Sequence, residues 1–119
     1  MSNPTFQLFT NLDKTHYYFR LIAMEGEILL TSDPYPNRQC CLMAILATKT
    51  HGTNPFRFKR KSTLLGYTYN LKGGNSELIG RSPNYSTAAA RDEAIKAVTR
   101  DAPKAPIEDL TRQGIQPMR

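Results

Sequence analysis

An internal repeat with a period of fifty residues restricts the possible folds of this chain more than any other feature of the sequence. The stretches GEILLTSDPY, from Gly26, and SELIGRSPNY, from Ser76, both run from an acidic residue through apolar residues to a serine, a proline and a tyrosine. The same offset aligns further identical residues, namely Phe6 with Phe56, Tyr17 with Tyr67, Leu21 with Leu71, Ala44 with Ala94, Ile45 with Ile95 and Ala47 with Ala97. No insertion is needed, so we interpret the chain as a duplication. One unit would bury only a marginal core, and we expect the two units to share one core.

Each unit begins with segments in which apolar and polar side chains alternate, as they do in half-buried strands. The predicted first strands are TFQLFT and PFRFKRK, and the second of these places Phe56 and Phe58 inward. The predicted second strands are THYYFRLIA and GYTYNLK, and the third are EILLT and ELIGR. Between the second and third strands, Glu25–Gly26 and Asn75–Ser76 are predicted to form two-residue turns that require positive φ.

A proline-containing bend follows in each unit, and beyond it the apolar period changes from two to about 3.6, which predicts a helix. The predicted buried stripes are Cys41, Leu42, Ile45 and Leu46 in the first helix and Ala90, Ala94, Ile95 and Val98 in the second. Arg91 is predicted to face outward. Ser86 is predicted as the N-cap of the second helix, because its hydroxyl can accept a hydrogen bond from a free backbone N–H.

These patterns predict an α+β fold of two tandem βββα repeats packed about a pseudo-twofold axis, with an antiparallel sheet and both helices on one face. We expect a single domain over residues 1–119, in which repeat one covers 5–50, repeat two covers 55–100 and a C-terminal tail covers 101–119. Three strands and one helix leave apolar surface uncovered, so each unit requires the other.

Composition limits the surroundings and the partners of the chain. The formal charge is +6, which favours acidic partners. Neither a secretion signal nor an apolar run of membrane-spanning length is recognisable, so we expect a cytoplasmic protein that does not bind membranes. Cys40 and Cys41 are adjacent and unaccompanied by nearby histidines, so we expect no metal site and two reduced thiols, at least one of them buried. No cofactor is expected.

The strongest chemical feature is the basic stretch RFKRK. As a strand it would direct Arg57, Lys59 and Lys61 to one face, with Lys72 on the neighbouring strand and Arg60 inward. Such a face can contact phosphates of nucleic acid. The alternative is a solvated edge strand, in which basic side chains discourage sheet-to-sheet aggregation.

Two tyrosines recur at the bends, at Tyr35 and Tyr85. We interpret them as packing residues whose hydroxyls bond backbone within the bend, with a pair that grips a small ligand between the units as the alternative. Ser32 and Ser82 are interpreted as turn residues. Because no serine, cysteine or histidine lies in a recognisable catalytic motif, we expect no enzymatic activity.

The stretch from FRLIAMEGEILLTSDPY into its helix resembles the repeat of the YegP-like family, small proteins of unknown function. The matching residues are Phe19, Leu21, Ala23, Gly26, Leu29, Ser32 and Tyr35 in the first unit and Tyr69, Leu71, Asn75, Ile79, Ser82 and Tyr85 in the second. The tail DAPKAPIEDLT also resembles the end of two-repeat members. The resemblance implies an α+β fold of tandem βββα units and no established activity.

Taken with the charge, these features favour a small basic binding protein that is not an enzyme. Its expected partner is an unknown macromolecule, a protein in preference to nucleic acid, and it is expected to be a monomer or homodimer. The first alternative is a nucleic-acid-binding protein that uses the basic strand 57–61. The second alternative is a small inhibitor that blocks a larger protein or nucleoprotein machine.

Overall fold

The structure, a computed structural model, describes residues 3–111. The first unit consists of β1 (Thr5–Thr10), β2 (Tyr17–Ile22), β3 (Ile28–Thr31) and α1 (Arg38–His51). The second consists of β4 (Phe58–Thr63), β5 (Gly66–Lys72), β6 (Leu78–Arg81) and α2 (Ala88–Asp101). A short strand, β7 (Ile107–Asp109), follows, and 3₁₀ turns cover Pro55–Arg57 and Ala102–Lys104. The predicted α+β fold with tandem βββα units is confirmed.

The strands form one seven-stranded sheet in the order β4-β5-β6-β3-β2-β1-β7. The two units meet where β3 pairs with β6, at Thr31 and Arg81, and the pseudo-twofold axis passes between these strands. The pairs within and between the units are antiparallel, as predicted. The exception is β7, which lies in the predicted tail and pairs in parallel with β1. This strand of three residues is too short to show an apolar period, so the sequence did not predict it.

One hydrophobic core lies between the sheet and the two helices and contains side chains of both units. A hydrogen bond crosses between the units within it, because the Tyr69 hydroxyl donates to the Leu29 carbonyl oxygen at 2.5 Å. Close packing also crosses the interface, since a Cβ atom added at Gly80 would lie 2.7 Å from the side chain of Leu30. The predicted shared core is confirmed.

The repeat offset changes in the first strand of the second unit, and here the prediction was wrong. Phe58 pairs with Leu71 as Phe6 pairs with Leu21, so the offset is 52 residues (6 to 58) and not fifty. Phe56, predicted to point inward, is 91% exposed. The cause is Pro55, which begins a 3₁₀ turn that Asn54 caps by accepting a hydrogen bond from the Phe56 N–H. The loop between β4 and β5 is shorter than the loop between β1 and β2, so the repeat offset returns to fifty residues at β5.

The turns agree with the predictions, and the helices differ from them in detail. Gly26 and Ser76 both have positive φ, as the hairpin turns require. The N-cap of α2 is Thr87 and not Ser86, because Thr87 Oγ1 accepts from the Ala90 N–H at 3.0 Å. The exposed sides of the helices include Leu46 and Ala90, which were predicted to be buried.

Arg91 corrects the prediction for α2 most clearly, since it is only 7% exposed. Its guanidinium lies 5.5 Å from the centroid of the Tyr67 ring and donates to the Lys61 carbonyl oxygen and to Asp92. A long side chain can lay its methylenes along apolar surface while its charged end reaches polar partners, and a helical period does not reveal this. Within the described residues, no helix is long and apolar enough to cross a membrane.

Candidate functional site

The sheet face opposite the helices carries an unbroken row of polar side chains from one edge to the other. The register across neighbouring strands places in this row Lys59, Asn70, Arg81, Thr31, Arg20, Gln7 and Glu108. At about 4.8 Å per strand the row extends roughly 29 Å. Because both helices pack on the other face, we call this surface the open face.

The second unit contributes the basic half of the open face. Lys59 and Lys61 are exposed on β4 and alternate with Phe58 and Arg60, as the predicted parity requires. Lys72 lies on the neighbouring strand β5, at the position beside Arg57 when the β4–β5 register is extended by one residue. Among residues 3–111, no carboxylate lies within ion-pair range of these three lysines.

Arg57 is close to this group but does not belong to the strand as predicted. It ends the 3₁₀ turn that Pro55 begins, and its Nη1 donates to the Gly73 carbonyl oxygen at 2.9 Å. The hydrogen bond holds the guanidinium at the end of the β5–β6 hairpin. The four predicted basic residues therefore lie at one edge of the sheet, with three of them on strands and Arg57 on the turn that leads into β4.

Arg60 points toward the helices, in agreement with its predicted inward parity, but it is not buried in the core. Its Nε donates to Asp92 Oδ1 of α2 at 2.9 Å, and Arg91 Nε donates to the same oxygen at 3.1 Å. These two hydrogen bonds lower the pKa of the Asp92 carboxyl. Two guanidinium groups thus share one carboxylate, and a surplus of positive charge remains beside β4.

The first unit occupies the other half of the open face with side chains that bind each other. Arg20 Nε donates to Gln7 Oε1 at 2.8 Å, and Gln7 Nε2 donates to Glu108 Oε1 at 3.0 Å. Phe9 and Tyr18 stack with ring centroids 5.5 Å apart, and the Arg20 guanidinium lies 4.6 Å above the Phe9 ring. The unpaired cations are therefore concentrated on the second unit.

Tyr35 and Tyr85 do not meet in one cleft between the units. Each is half-buried and lines a groove of its own, of about 280 Å³ at Tyr35 and about 380 Å³ at Tyr85. Each groove receives a glutamate from the opposite unit, Glu77 beside Tyr35 and Glu27 beside Tyr85. Burial raises the pKa of both hydroxyls, so each remains protonated at neutral pH.

The recurrence of the two tyrosines has a structural cause. The backbone N–H and carbonyl groups of Tyr35 exchange hydrogen bonds with Tyr17 at 2.8 and 2.9 Å, and Tyr85 does the same with Tyr67. The hydrogen bonds that close each bend therefore come from the backbone of the tyrosine. The sequence had led us to expect that the hydroxyl would make them. Their rings pack against the shared core. A pair gripping one ligand between the units, the alternative interpretation, would need both rings in one groove, and among the described residues they line two.

The residues that could act as nucleophiles are held in structural contacts. The Ser32 hydroxyl accepts from the Phe19 N–H at 2.9 Å and donates to the Asp33 carbonyl oxygen, and Ser82 makes the equivalent pair of bonds. Both cysteines are free, and Cys41 is fully buried, which confirms that at least one thiol lies in the core. Burial, with smaller effects from Asp109 and Cys40, raises the pKa of the Cys41 thiol to about 12. The two serine hydroxyls and the Cys41 thiol are therefore poor nucleophiles at neutral pH.

Comparison with known proteins finds this architecture in one family. The family model "Domain of unknown function (DUF1508)" matches the chain twice, at residues 13–55 and 66–109. A "UPF0339 protein in ptx operon 5'region" from Stutzerimonas stutzeri is 32% identical over 108 residues, which cover 89% of this chain and 96% of that protein. The two matches agree with the tandem duplication, and the descriptions of both the family and the relative state no activity.

Two solved structures share the fold. A solution NMR structure of a UPF0339 protein from Shewanella oneidensis has a TM-score of 0.86 and 31% sequence identity, with 95% of each chain covered. The solution NMR structure of the protein of unknown function yegP from E. coli has a TM-score of 0.85 and 28% identity, covering 93% of this chain and 96% of that one. The resemblance to the YegP-like family is therefore confirmed.

Proposed function

The chain belongs to the family described as "Domain of unknown function (DUF1508)", and we propose that it is a non-catalytic binding protein whose partner is a protein with an acidic surface. The binding surface in this proposal is the basic half of the open face, formed by Lys59, Lys61 and Lys72 with Arg57 at its border. The proposal includes a cytoplasmic location, which is supported by two free cysteines, because thiols persist in reducing compartments.

The observation that carries the proposal is the segregation of charge on the open face. In the first unit the cation Arg20 already has polar and aromatic contacts. In the second unit Lys59, Lys61 and Lys72 have no carboxylate in range among residues 3–111. Complementary charge across an interface accelerates encounter and selects partners, so a row of unpaired cations favours an acidic partner.

The candidate nucleophiles support a role without catalysis. Ser32 and Ser82 use their hydroxyls to bind backbone groups, and the raised pKa keeps the Cys41 thiol protonated. A nucleophile needs an adjacent base or a lowered pKa, and none of these three groups has either in its described contacts.

Nucleic acid is the second candidate partner, and the same lysines favour it. Sheet proteins that bind single strands also offer aromatic rings on which bases stack. On the open face the rings of Phe9 and Tyr18 are stacked on each other, and Arg20 covers Phe9. Among residues 3–111, the one largely exposed phenylalanine or tyrosine is Phe56, on the turn before β4. A single ring offers little stacking surface for a strand of bases, which favours an acidic protein.

Affinity capture with a charge-matched control tests the proposal. The tagged protein is incubated with a nuclease-treated extract of cells that produce it, together with K59Q/K61Q and the control K14Q/K104Q. Lys14, between β1 and β2, and Lys104, on the turn after α2, are exposed, so both variants lose the same charge. We expect an acidic protein to be retained by the wild type and by the control and lost by K59Q/K61Q.

Two results would contradict the proposal. One is equal retention by K59Q/K61Q and the wild type, because the lysines would then play no part. The other is loss of all bound material after nuclease treatment, which would support nucleic acid as the partner.

A further inference from the structure

The two edges of the sheet differ in a way that the duplication does not require. The pseudo-twofold axis relates β1 to β4, since each pairs antiparallel with the second strand of its own unit. On its outer side β1 is covered by β7, whereas β4 is the last strand of the sheet within residues 3–111. An edge strand presents unpaired N–H and C=O groups that can pair with another strand.

The contact between β7 and β1 shows how such an edge is occupied in this fold. Ile107, Glu108 and Asp109 run parallel to β1, opposite Phe6, Gln7 and Leu8. The Phe6 N–H donates outward to the Pro106 carbonyl oxygen at 2.8 Å. Glu108 receives a hydrogen bond from Gln7, and Asp109 lies 2.6 Å from Arg38 of α1 in an ion pair. The segment that covers the edge is therefore extended and acidic.

When the pseudo-twofold axis is applied to the contact between β7 and β1, the counterpart of β7 is an incoming strand beside β4. The counterparts of Phe6, Gln7 and Leu8 are Phe58, Lys59 and Arg60, which share the same pairing register. Backbone groups alternate in direction along a strand, so Arg60 and Ser62 direct their N–H and C=O groups outward, as Phe58 does. The Phe58 N–H is already bonded to the Pro55 carbonyl oxygen, and pairing therefore begins beyond it.

The basic side chains on and beside β4 determine which side chains an incoming strand should carry. An incoming residue opposite Lys59 would lie on the open face, and its neighbour opposite Arg60 would lie beside the two guanidinium groups that share Asp92. Both positions favour carboxylates. A second copy of β4 would bring lysine against lysine, which is unfavourable for cross-strand pairs.

Exposed apolar side chains lie at both ends of the same edge. Phe56 precedes β4, and Leu64 and Leu65 follow it, all with most of their surface exposed. An exposed apolar group beside a polar strip can anchor the ends of a bound segment. The chain's own edge-covering segment has a matching order, with Ile107 before and Leu110 after the two acidic residues.

We propose that the outer edge of β4 binds an extended acidic segment of the partner protein, which adds to the sheet as an eighth strand parallel to β4. The inference rests on the proposed function and specifies the structure of the partner segment and the backbone groups that hold it. Main-chain hydrogen bonds to Arg60 and Ser62 would supply the pairing, and Lys59 and Lys61 would select an acidic sequence.

A peptide titration of the full-length protein tests this inference. The probe is the synthetic peptide KAPIEDLT, which has the sequence of residues 104–111, added to isotope-labelled protein while backbone amide resonances are followed by NMR. We expect saturable shifts at Arg60 and Ser62. The K59E/K61E variant should bind about tenfold more weakly, since two exposed charge pairs are reversed. The peptide KAPIKKLT, in which lysines replace the two acidic residues, should bind K59E/K61E more tightly than the wild type.

Backbone pairing is tested separately from charge. S62P removes one outward N–H and keeps every lysine, and we expect at least a fivefold loss of peptide affinity, whereas S62A should bind as the wild type does. If S62P fails to fold, amide exchange at Arg60 and Ser62 in the wild type decides the point. Exchange slowed by saturating peptide supports strand addition, and unchanged exchange overturns it.

Three further outcomes would overturn the inference. One is the absence of any binding of the acidic peptide, and another is binding that depends on the lysines but is unaffected by S62P. The last is a set of shifts confined to β1, which would mean that the peptide displaces β7. If capture of an acidic protein still requires Lys59 and Lys61 in these cases, the proposed function stands and only the strand-addition mode fails.

Discussion

Replacing Tyr69 by phenylalanine removes one hydroxyl from the interface between the two units and leaves the ring in place. Tyr69 is 0% exposed, and its hydroxyl donates at 2.5 Å to the carbonyl oxygen of Leu29, which is 3% exposed. The first unit has Phe19 at the equivalent position, so the fold accommodates a phenyl ring in this setting. The substitution therefore removes the hydrogen bond that joins the units, together with the interaction between the Tyr69 and Tyr85 hydroxyls within the second unit.

The expected cost follows from the burial of both partners. A buried acceptor that loses its donor destabilises a protein by about 1–3 kcal/mol, because the carbonyl remains desolvated. For a domain of this size, each kcal/mol corresponds to roughly 4 °C in the melting temperature. We expect Y69F to unfold about 1–3 kcal/mol more easily than the wild type, with an unchanged dependence on urea concentration.

Urea unfolding followed by circular dichroism measures this difference, with Y67F as the control. Tyr67 is half-buried, and its ring faces Arg91, so Y67F makes the same chemical change away from the Leu29 carbonyl. We expect Y67F to remain within about 0.5 kcal/mol of the wild type. Equal stability of Y69F and Y67F would refute the reasoning, because the hydroxyl would then contribute nothing to the interface.

Four further predictions concern the thiols, the basic edge and the shared core. In the native state a thiol reagent should modify Cys40 faster than the buried Cys41, and rapid modification of both would contradict the fold. Because burial raises the pKa of Cys41 to about 12, the contribution of this thiol to the unfolding free energy should be constant below the unfolded thiol pKa of about 8.5 and fall above it, which pH-dependent urea unfolding of the wild type and C41A measures by difference. If three or four of the basic residues 57–61 contact DNA, the log–log salt slope should be roughly −3 to −4 and should flatten in R57Q/K59Q/K61Q. We expect weak binding at most, measured by fluorescence anisotropy. Either unit expressed alone should be unfolded or dimeric by circular dichroism and sedimentation, and a cooperative monomeric fold would contradict the shared core.

The repeat, the order of elements and the turns were predictable because they depend on local patterns. Gly26 and Ser76 mark hairpin turns through the positive φ that such turns need, and both positions adopt it. The alternation of apolar residues in β2 and β5 and the change of period at the helices specified which faces are buried. The parity of Lys59 and Lys61 on the open face followed from the same alternation.

The start of β4 was not predictable from the same alternation. Phe56 and Phe58 have the same parity, so a strand starting at either residue satisfies the pattern equally. Tertiary structure decides between them, because Asn54 and Pro55 form a 3₁₀ turn that removes Phe56 from the sheet. Arg91 was assigned to the surface for a similar reason, since its burial depends on Tyr67 and on a carbonyl of β4.

The asymmetry of the sheet edges was also beyond the sequence analysis. It arises from β7, whose three residues pair with a strand about a hundred positions earlier. Local patterns contain no information about such a distant pairing, and the basic stretch therefore left two interpretations open. Within residues 3–111 the structure places β4 at an edge, and the equivalent edge of the first unit is covered by an acidic segment.

Site-specific photo-crosslinking in an extract of the producing cells tests the proposed acidic-protein partner most directly. A photoreactive residue is placed at position 62 on β4, which keeps every lysine, and, as a control, at position 14 between β1 and β2. We expect a protein adduct at position 62 that is absent at position 14 and is reduced by an excess of the KAPIEDLT peptide. An adduct with nucleic acid at position 62, or the same protein adducts at both positions, would contradict the proposal.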